Sequence, residues 1–184
     1  MPLWWPLASG SGYLTNSTGE NMSEKQAFLD AWNRETATTL KVLRAFPEDK
    51  TDLKPHPNSR SANDLAWTFV FEGVGGSQAA QGEIKFPPPG LPQKPARWKD
   101  MVSEVEKALK LMSERVQSAD ENHLNTTVKF VTGPRQMSDL RRMDVLWYML
   151  NDQIHHRGQF SVYLRMAGGK VPAIYGPSAD EKWN

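Results

Sequence analysis

Asp152 and His156 stand one helical turn apart within Leu-Trp-Tyr-Met-Leu-Asn-Asp-Gln-Ile-His-His-Arg-Gly-Gln-Phe-Ser-Val-Tyr-Leu-Arg, residues 146–165. The run contains no proline, and its single glycine lies mid-run, so a helix is its natural form. At about 100° of rotation per residue, Val145, Met149, Phe160, Tyr163 and Ala167 lie within roughly 40° of His156. Asp152 lies on the same stripe. A carboxylate and an imidazole on an otherwise apolar face are costly to bury unless something pairs with them. Two chemistries meet that condition: half of a metal or acid/base site, or a satisfied Asp–His hydrogen bond inside a helical bundle. His155 points about 100° away, toward the flank.

The elements that must position this pair belong to a chain of 184 residues, long enough for one domain with a real core. With 39% hydrophobic and 23% charged residues and a formal net charge of +1, the chain reads as an ordinary globular protein. The near-neutral balance argues against a general electrostatic grip on nucleic acid or an anionic membrane. There is no cysteine, which excludes disulfides, thiolate metal sites and a cysteine nucleophile. That composition fits a reducing cytoplasm. No apolar run approaches the length of a transmembrane helix.

Residues 1–21 read as a disordered extension ahead of the domain at 22–184. Pro6 breaks their apolar start, Ser9-Gly10-Ser11-Gly12 has linker composition, and no basic stretch suggests a signal peptide. The first helix is predicted from about Ser23 to Ala45, with Phe28, Trp32, Leu40 and Leu43 inward and Pro47 ending it. His56, between Pro55 and Pro57, reads as a solvated loop residue. Ser61-Ala-Asn-Asp64 resembles a capping box and opens a second helix that is apolar nearly all round. Thr68 and Glu72 interrupt it one turn apart. The hydroxyl of Thr68 can bond its own helix carbonyl, and one reading of Glu72 is the helix's solvent-facing edge.

Gly82 to Ala96, with Pro87-Pro88-Pro89-Gly90, is too stiff and long for a tight turn. A third, cleanly amphipathic helix is predicted from about Arg97 to Ser118. Weak alternation over Thr126–Thr132 points to a short strand or hairpin. The fourth helix is placed from Ser138-Asp139 to a stop at Gly168-Gly169. The tail beyond it is expected to fold back on Ile174 and Tyr175. The fold class is therefore all-α, a four-helix bundle with long connections.

Asn151-Asp-Gln-Ile-His-His-Arg-Gly-Gln-Phe-Ser-Val-Tyr-Leu-Arg165, followed by Gly-Gly-Lys-Val-Pro-Ala-Ile-Tyr-Gly-Pro-Ser, resembles the last helix of the DinB/YfiT-like family. Arg60-Ser-Ala-Asn-Asp-Leu-Ala-Trp67 resembles the start of that family's second helix. The resemblance implies an up-down-down-up four-helix bundle, a homodimer, and one divalent metal ion (Zn, Ni, Mn or Fe) held by three histidines. The matching positions here are Thr68, Asp152 and His156, so a single family histidine remains. Asp152 still suits a metal, Thr68 is a poor neutral ligand suited to a pocket wall, and Glu72 is placed to reach the same cavity. The expected ligand set is His156, Asp152 and Glu72.

Family resemblance implies a metal-dependent enzyme, of thiol S-transferase or hydrolase type, acting on a small molecule. The competing reading is a metal-free bundle that binds a small molecule or serves dimerisation. A nucleic-acid role is disfavoured by the charge balance.

Overall fold

Four long helices enclose one apolar core in the computed structural model, which describes residues 22–85 and 87–183. The chain runs α1 (Glu24–Arg44), a 3-10 turn (Glu48–Lys50), α2 (Ala62–Gln81), α3 (Trp98–Ser118) and a short α4 (Glu121–Leu124). The strands β1 (Thr127–Gly133) and β2 (Gln136–Arg141) follow, and then α5 (Arg142–Met166). The fold is mostly helical with one two-stranded sheet. No described helix is long and apolar enough to cross a membrane. The proposed extension at 1–21 lies outside the described residues.

Local chemistry explains the boundaries. Ser23 caps α1 by accepting the Gln26 N–H. Ser61 caps α2, accepting the Asp64 N–H at 3.1 Å while its hydroxyl donates to the Asp64 carboxylate at 2.7 Å. After α5 the chain turns through Gly168 at φ +80°, a left-handed conformation that favours glycine.

Packing gives each of the four long helices two long neighbours: α1 and α2 each lie against α3 and α5. At one end, Arg141 forms an ion pair with Glu24 at the start of α1, and the Arg142 guanidinium donates to the carbonyls of Ala79 and Gly82 at the end of α2. At the other, the Tyr163 hydroxyl donates to the Arg60 carbonyl just before α2. Phe28, Trp32, Phe69, Leu109, Met112 and Phe160 are wholly buried. The buried indoles keep their hydrogen bonds, Trp32 Nε1 to the Leu109 carbonyl and Trp98 Nε1 to that of Leu43. Helices α2 and α3 touch backbone to backbone at Gly73, where a Cβ would sit 2.5 Å from the Ala108 carbonyl.

One expectation changes. Ser138 and Asp139 do not start the last helix; they belong to β2, paired with Phe130 and Lys129 of β1. A cross-strand ion pair, Lys129 Nζ to Asp139 at 2.6 Å, uses the acidic residue that looked like a helix cap. Helix α5 instead begins directly off the strand at Arg142, held by Arg142's bonds to α2. The weak alternation over Thr126–Thr132 is one strand of a full antiparallel hairpin.

Candidate metal centre

Glu72 on α2 and Asp152 and His156 on α5 converge where these two helices pack. One ligand atom from each lies within 4.8 Å of the others. His156 Nδ1 is 2.6 Å from Glu72 Oε1 and 3.7 Å from the nearer Asp152 oxygen. The side chains grade from closed to open: 3% exposed for Glu72, 12% for His156 and 31% for Asp152. Glu72 is thus no solvent-facing edge. It is driven inward because α2 is apolar nearly all round and buries most of its circumference.

Burial sets the electrostatics. It pushes the Glu72 carboxyl up to about 7, the His156 hydrogen bond pulling the other way. His156 is held above the usual imidazole range, chiefly by its hydrogen bond with Glu72. The second oxygen, Glu72 Oε2, is buried and has no hydrogen-bond partner. An acceptor left open beside an imidazole and a second carboxylate is a donor set that suits a divalent cation.

Thr68, one turn before Glu72, stays outside the three-donor cluster. Its hydroxyl donates to the Asp64 carbonyl at 3.3 Å and accepts from Arg60 Nη1 at 2.8 Å. It lines the adjoining space and marks the boundary between two openings. One, of about 400 Å³, runs from Glu72 and Asp152 under the hairpin. The other, of about 500 Å³, lies toward Arg60 and Asp64 and shares Thr68 and Phe71 with the first. His155 is exposed and lies 2.6 Å from the Gln159 amide; its ring centroid is 5.4 Å from that of His156, but it is not one of the three donors. His56 is exposed in its loop.

Residues 92–183 match the family model described as DinB family. The chain belongs to the DinB family. A relative in Bacillus subtilis (strain 168), described as "Uncharacterized protein YrdA", is 26% identical over 160 residues, covering 85% of this chain and 90% of that one. A crystal structure of a DinB-like protein from Bacillus cereus ATCC 10987 shares 26% identity and superposes with a TM-score of 0.64. It covers 81% of this chain and 96% of that protein. The DinB-like protein YjoA from Bacillus subtilis, at 14% identity, shares the fold with a TM-score of 0.65, covering 84% of this chain and 99% of that one.

Sequence reasoning missed several neighbours of the site in this DinB chain. Phe130, Val131 and Met137 reach it from the hairpin, and Ile84 and Pro88 from the connection after α2. The faint alternation that put Phe130 on one side of a strand was their one signal. A second buried polar group, Glu35 with Arg157, was also unforeseen. Arg157 Nη1 lies 2.7 Å from the Glu35 carboxylate, and the Tyr175 hydroxyl donates to that carboxylate at 2.6 Å. The Arg of the His-His-Arg-Gly run therefore serves the α1–α5 seam.

Proposed function

We propose that this protein holds one divalent cation (Zn, Ni, Mn or Fe) through His156, Asp152 and Glu72 and acts on a small molecule, as a thiol S-transferase or a hydrolase. The observation that carries this reading is the convergence of three donors from two helices with one carboxylate oxygen, Glu72 Oε2, buried and unpartnered. Loss of histidine at position 68 is compensated one turn further along the same helix. Glu72 supplies an anionic oxygen where Thr68 supplies a hydroxyl already engaged with Arg60 and Asp64.

When bound, such a cation supplies Lewis acidity, which lowers the pKa of a water or a thiol. The chain's own groups do the rest. Glu72 and His156 share a proton across their 2.6 Å contact, and their burial keeps bulk water from competing for it. Asp152, the most open of the three, faces the cavity from which a small molecule would approach.

The bundle is read as up-down-down-up. The Glu24–Arg141 pair supports α1 running with α5, and the Arg142 and Tyr163 bonds support α2 running against it. Residues 22–184 would form the domain. A cytoplasmic homodimer completes the proposal; exposed Val162 and Met166, one turn apart on α5, offer apolar area for it. Light scattering should return twice the monomer mass.

The second reading, a metal-free binding module, draws on the same short contact, because Glu72 already satisfies His156 Nδ1. Calorimetric titration of chelator-treated protein with Zn²⁺, Ni²⁺ and Mn²⁺ separates the two. The expected result is one site per chain. His156→Ala should weaken it beyond the roughly 10- to 100-fold typical of losing an outer-shell partner, while His155→Ala leaves it unchanged. Wild-type protein that takes up no metal overturns the enzyme reading and leaves the binding module.

A further inference from the structure

Three glycines follow one another closely in α2 at positions 73, 75 and 76, directly after Glu72. Two of them have a packing reason. A Cβ at Gly73 would meet the Ala108 backbone at 2.5 Å, and one at Gly76 would overlap the Met112 thioether. Gly75 has none: its Cβ would meet only Met149 Cε, at 3.9 Å, an ordinary contact. Its backbone is helical with φ in the normal range, so no turn requires it either. A glycine in a helix interior is less stable than alanine, and here nothing in the fold demands it. What Gly75 does is line the 400 Å³ cavity beside Glu72 and Asp152.

That cavity has a definite chemical character. Its walls are Phe130, Val131 and Met137 from the hairpin, Tyr148 and Met149 from α5, and Ile84 before the proline run. The carboxyl groups lining it are Glu72 and Asp152, with one oxygen of each within 4.8 Å of the other. Its volume sits in the lower part of the range for small-molecule pockets. An apolar cavity bordered by the Asp152 carboxylate and the proton-sharing, net-neutral Glu72–His156 pair opposes an anion and gives a neutral hydrocarbon or aromatic body a place to leave water.

We propose that this cavity takes the neutral, apolar body of the substrate, with its reacting group at Glu72, Asp152 and His156, and that Gly75 is the specificity-determining residue that keeps the floor open. The location of the reacting group rests on the metal-centre reading above. The apolar pocket itself does not require the metal, and the two are tested apart.

The experiment uses full-length, chelator-treated protein and the uncharged fluorophore N-phenyl-1-naphthylamine, followed by its emission. Wild type should bind it saturably, and 1-hexanol should displace it at least about tenfold better than hexanoate, since Asp152 and the apolar walls both oppose a buried carboxylate. Gly75→Ala should fold with an equal or higher Tm and bind the probe about tenfold more weakly, the scale of one added carbon in an apolar pocket. Gly75→Leu should abolish saturable binding. The variant Trp183→Ser, at an exposed apolar residue outside the cavity, should bind as wild type does.

Equal affinity in wild type and Gly75→Ala overturns the proposal. So does absence of saturable binding in wild type, displacement by hexanoate as good as by hexanol, or loss of binding in Trp183→Ser. Probe binding in a protein that takes up no metal sustains the pocket and defeats the metal-centre reading. Metal uptake without probe binding does the reverse.

Discussion

Glu72 shows how strongly one side chain's surroundings decide its chemistry. Exposed, it would be an ionised helix residue; buried beside His156 and a second carboxylate, it holds its proton up to about 7. Both it and His156 titrate above their ordinary values of 4.5 and 6.5. A folded-state pKa that is raised means the native protein binds more protons than the unfolded chain between the two values, so stability falls as pH rises. The contribution is present in full below the ordinary values and is lost as pH climbs through about 7 and beyond the ordinary imidazole range. The Tm of chelator-treated protein should therefore decline between about pH 5 and pH 8, a window where ordinary carboxylates have finished titrating. Glu72→Gln should flatten that decline. Metal affinity should rise over the same window, because a ligand must shed its proton to bind. Thermal melts at fixed ionic strength check the first expectation and titration calorimetry the second. A flat wild-type profile would contradict the assignment of buried, proton-retaining groups.

At the scale of elements, α2 carries conflicting demands on its two faces. Toward α3 it must come close enough for backbone contact, which Gly73 allows. Toward α5 it must present Glu72 and leave space beyond it. The two faces give opposite expectations for the same substitution. Gly73→Ala drives a Cβ into the Ala108 carbonyl, an overpacking that costs about 1–3 kcal/mol because backbone, not a flexible side chain, must give way. Gly75→Ala should gain up to about 1 kcal/mol from helix propensity. Urea unfolding of the pair measures both signs in one experiment. Equal destabilisation would mean that α2 packs as tightly against α5 as against α3.

For the molecule as a whole, the C-terminal segment after α5 is tied to the first helix rather than trailing from the last. Tyr175 donates to Glu35 and accepts from Arg157 Nη2 at 2.5 Å. Glu181 pairs with Lys41, and Asp180 with Arg165. The two surface pairs are exposed and contribute little. Tyr175 matters more, because its hydroxyl completes a charge pair whose arginine is 2% exposed. Tyr175→Phe should cost about 1.5–3 kcal/mol, the range for hydrogen bonds to charged groups. Glu35→Ala should cost more, about 3–5 kcal/mol, since it strands the Arg157 charge in the interior. Chemical denaturation of both variants gives the order, and a Tyr175→Phe loss exceeding that of Glu35→Ala would reverse it.

Much of this protein is legible in the order of its residues. Caps at Ser23 and Ser61, the glycine stop after α5 and a period of 3.6 place α1, α3, the start of α2 and the end of α5 within a residue or two, because these signals act over one or two turns. The same period puts His156 and Asp152 on one stripe and His155 off it, as helix geometry requires. Three things needed the tertiary fold. The start of α5 is set by Arg142 reaching the end of α2 and by Asp139 pairing across a hairpin, contacts between segments far apart in sequence. Glu72 is polar in a helix apolar all round, and only the packing of α5 against α2 decides that it turns inward to His156, 84 positions away. The cavity exists because the hairpin and the proline-rich connection close over the space that Gly75 leaves bare. No local pattern encodes a volume shared by four separate stretches of chain.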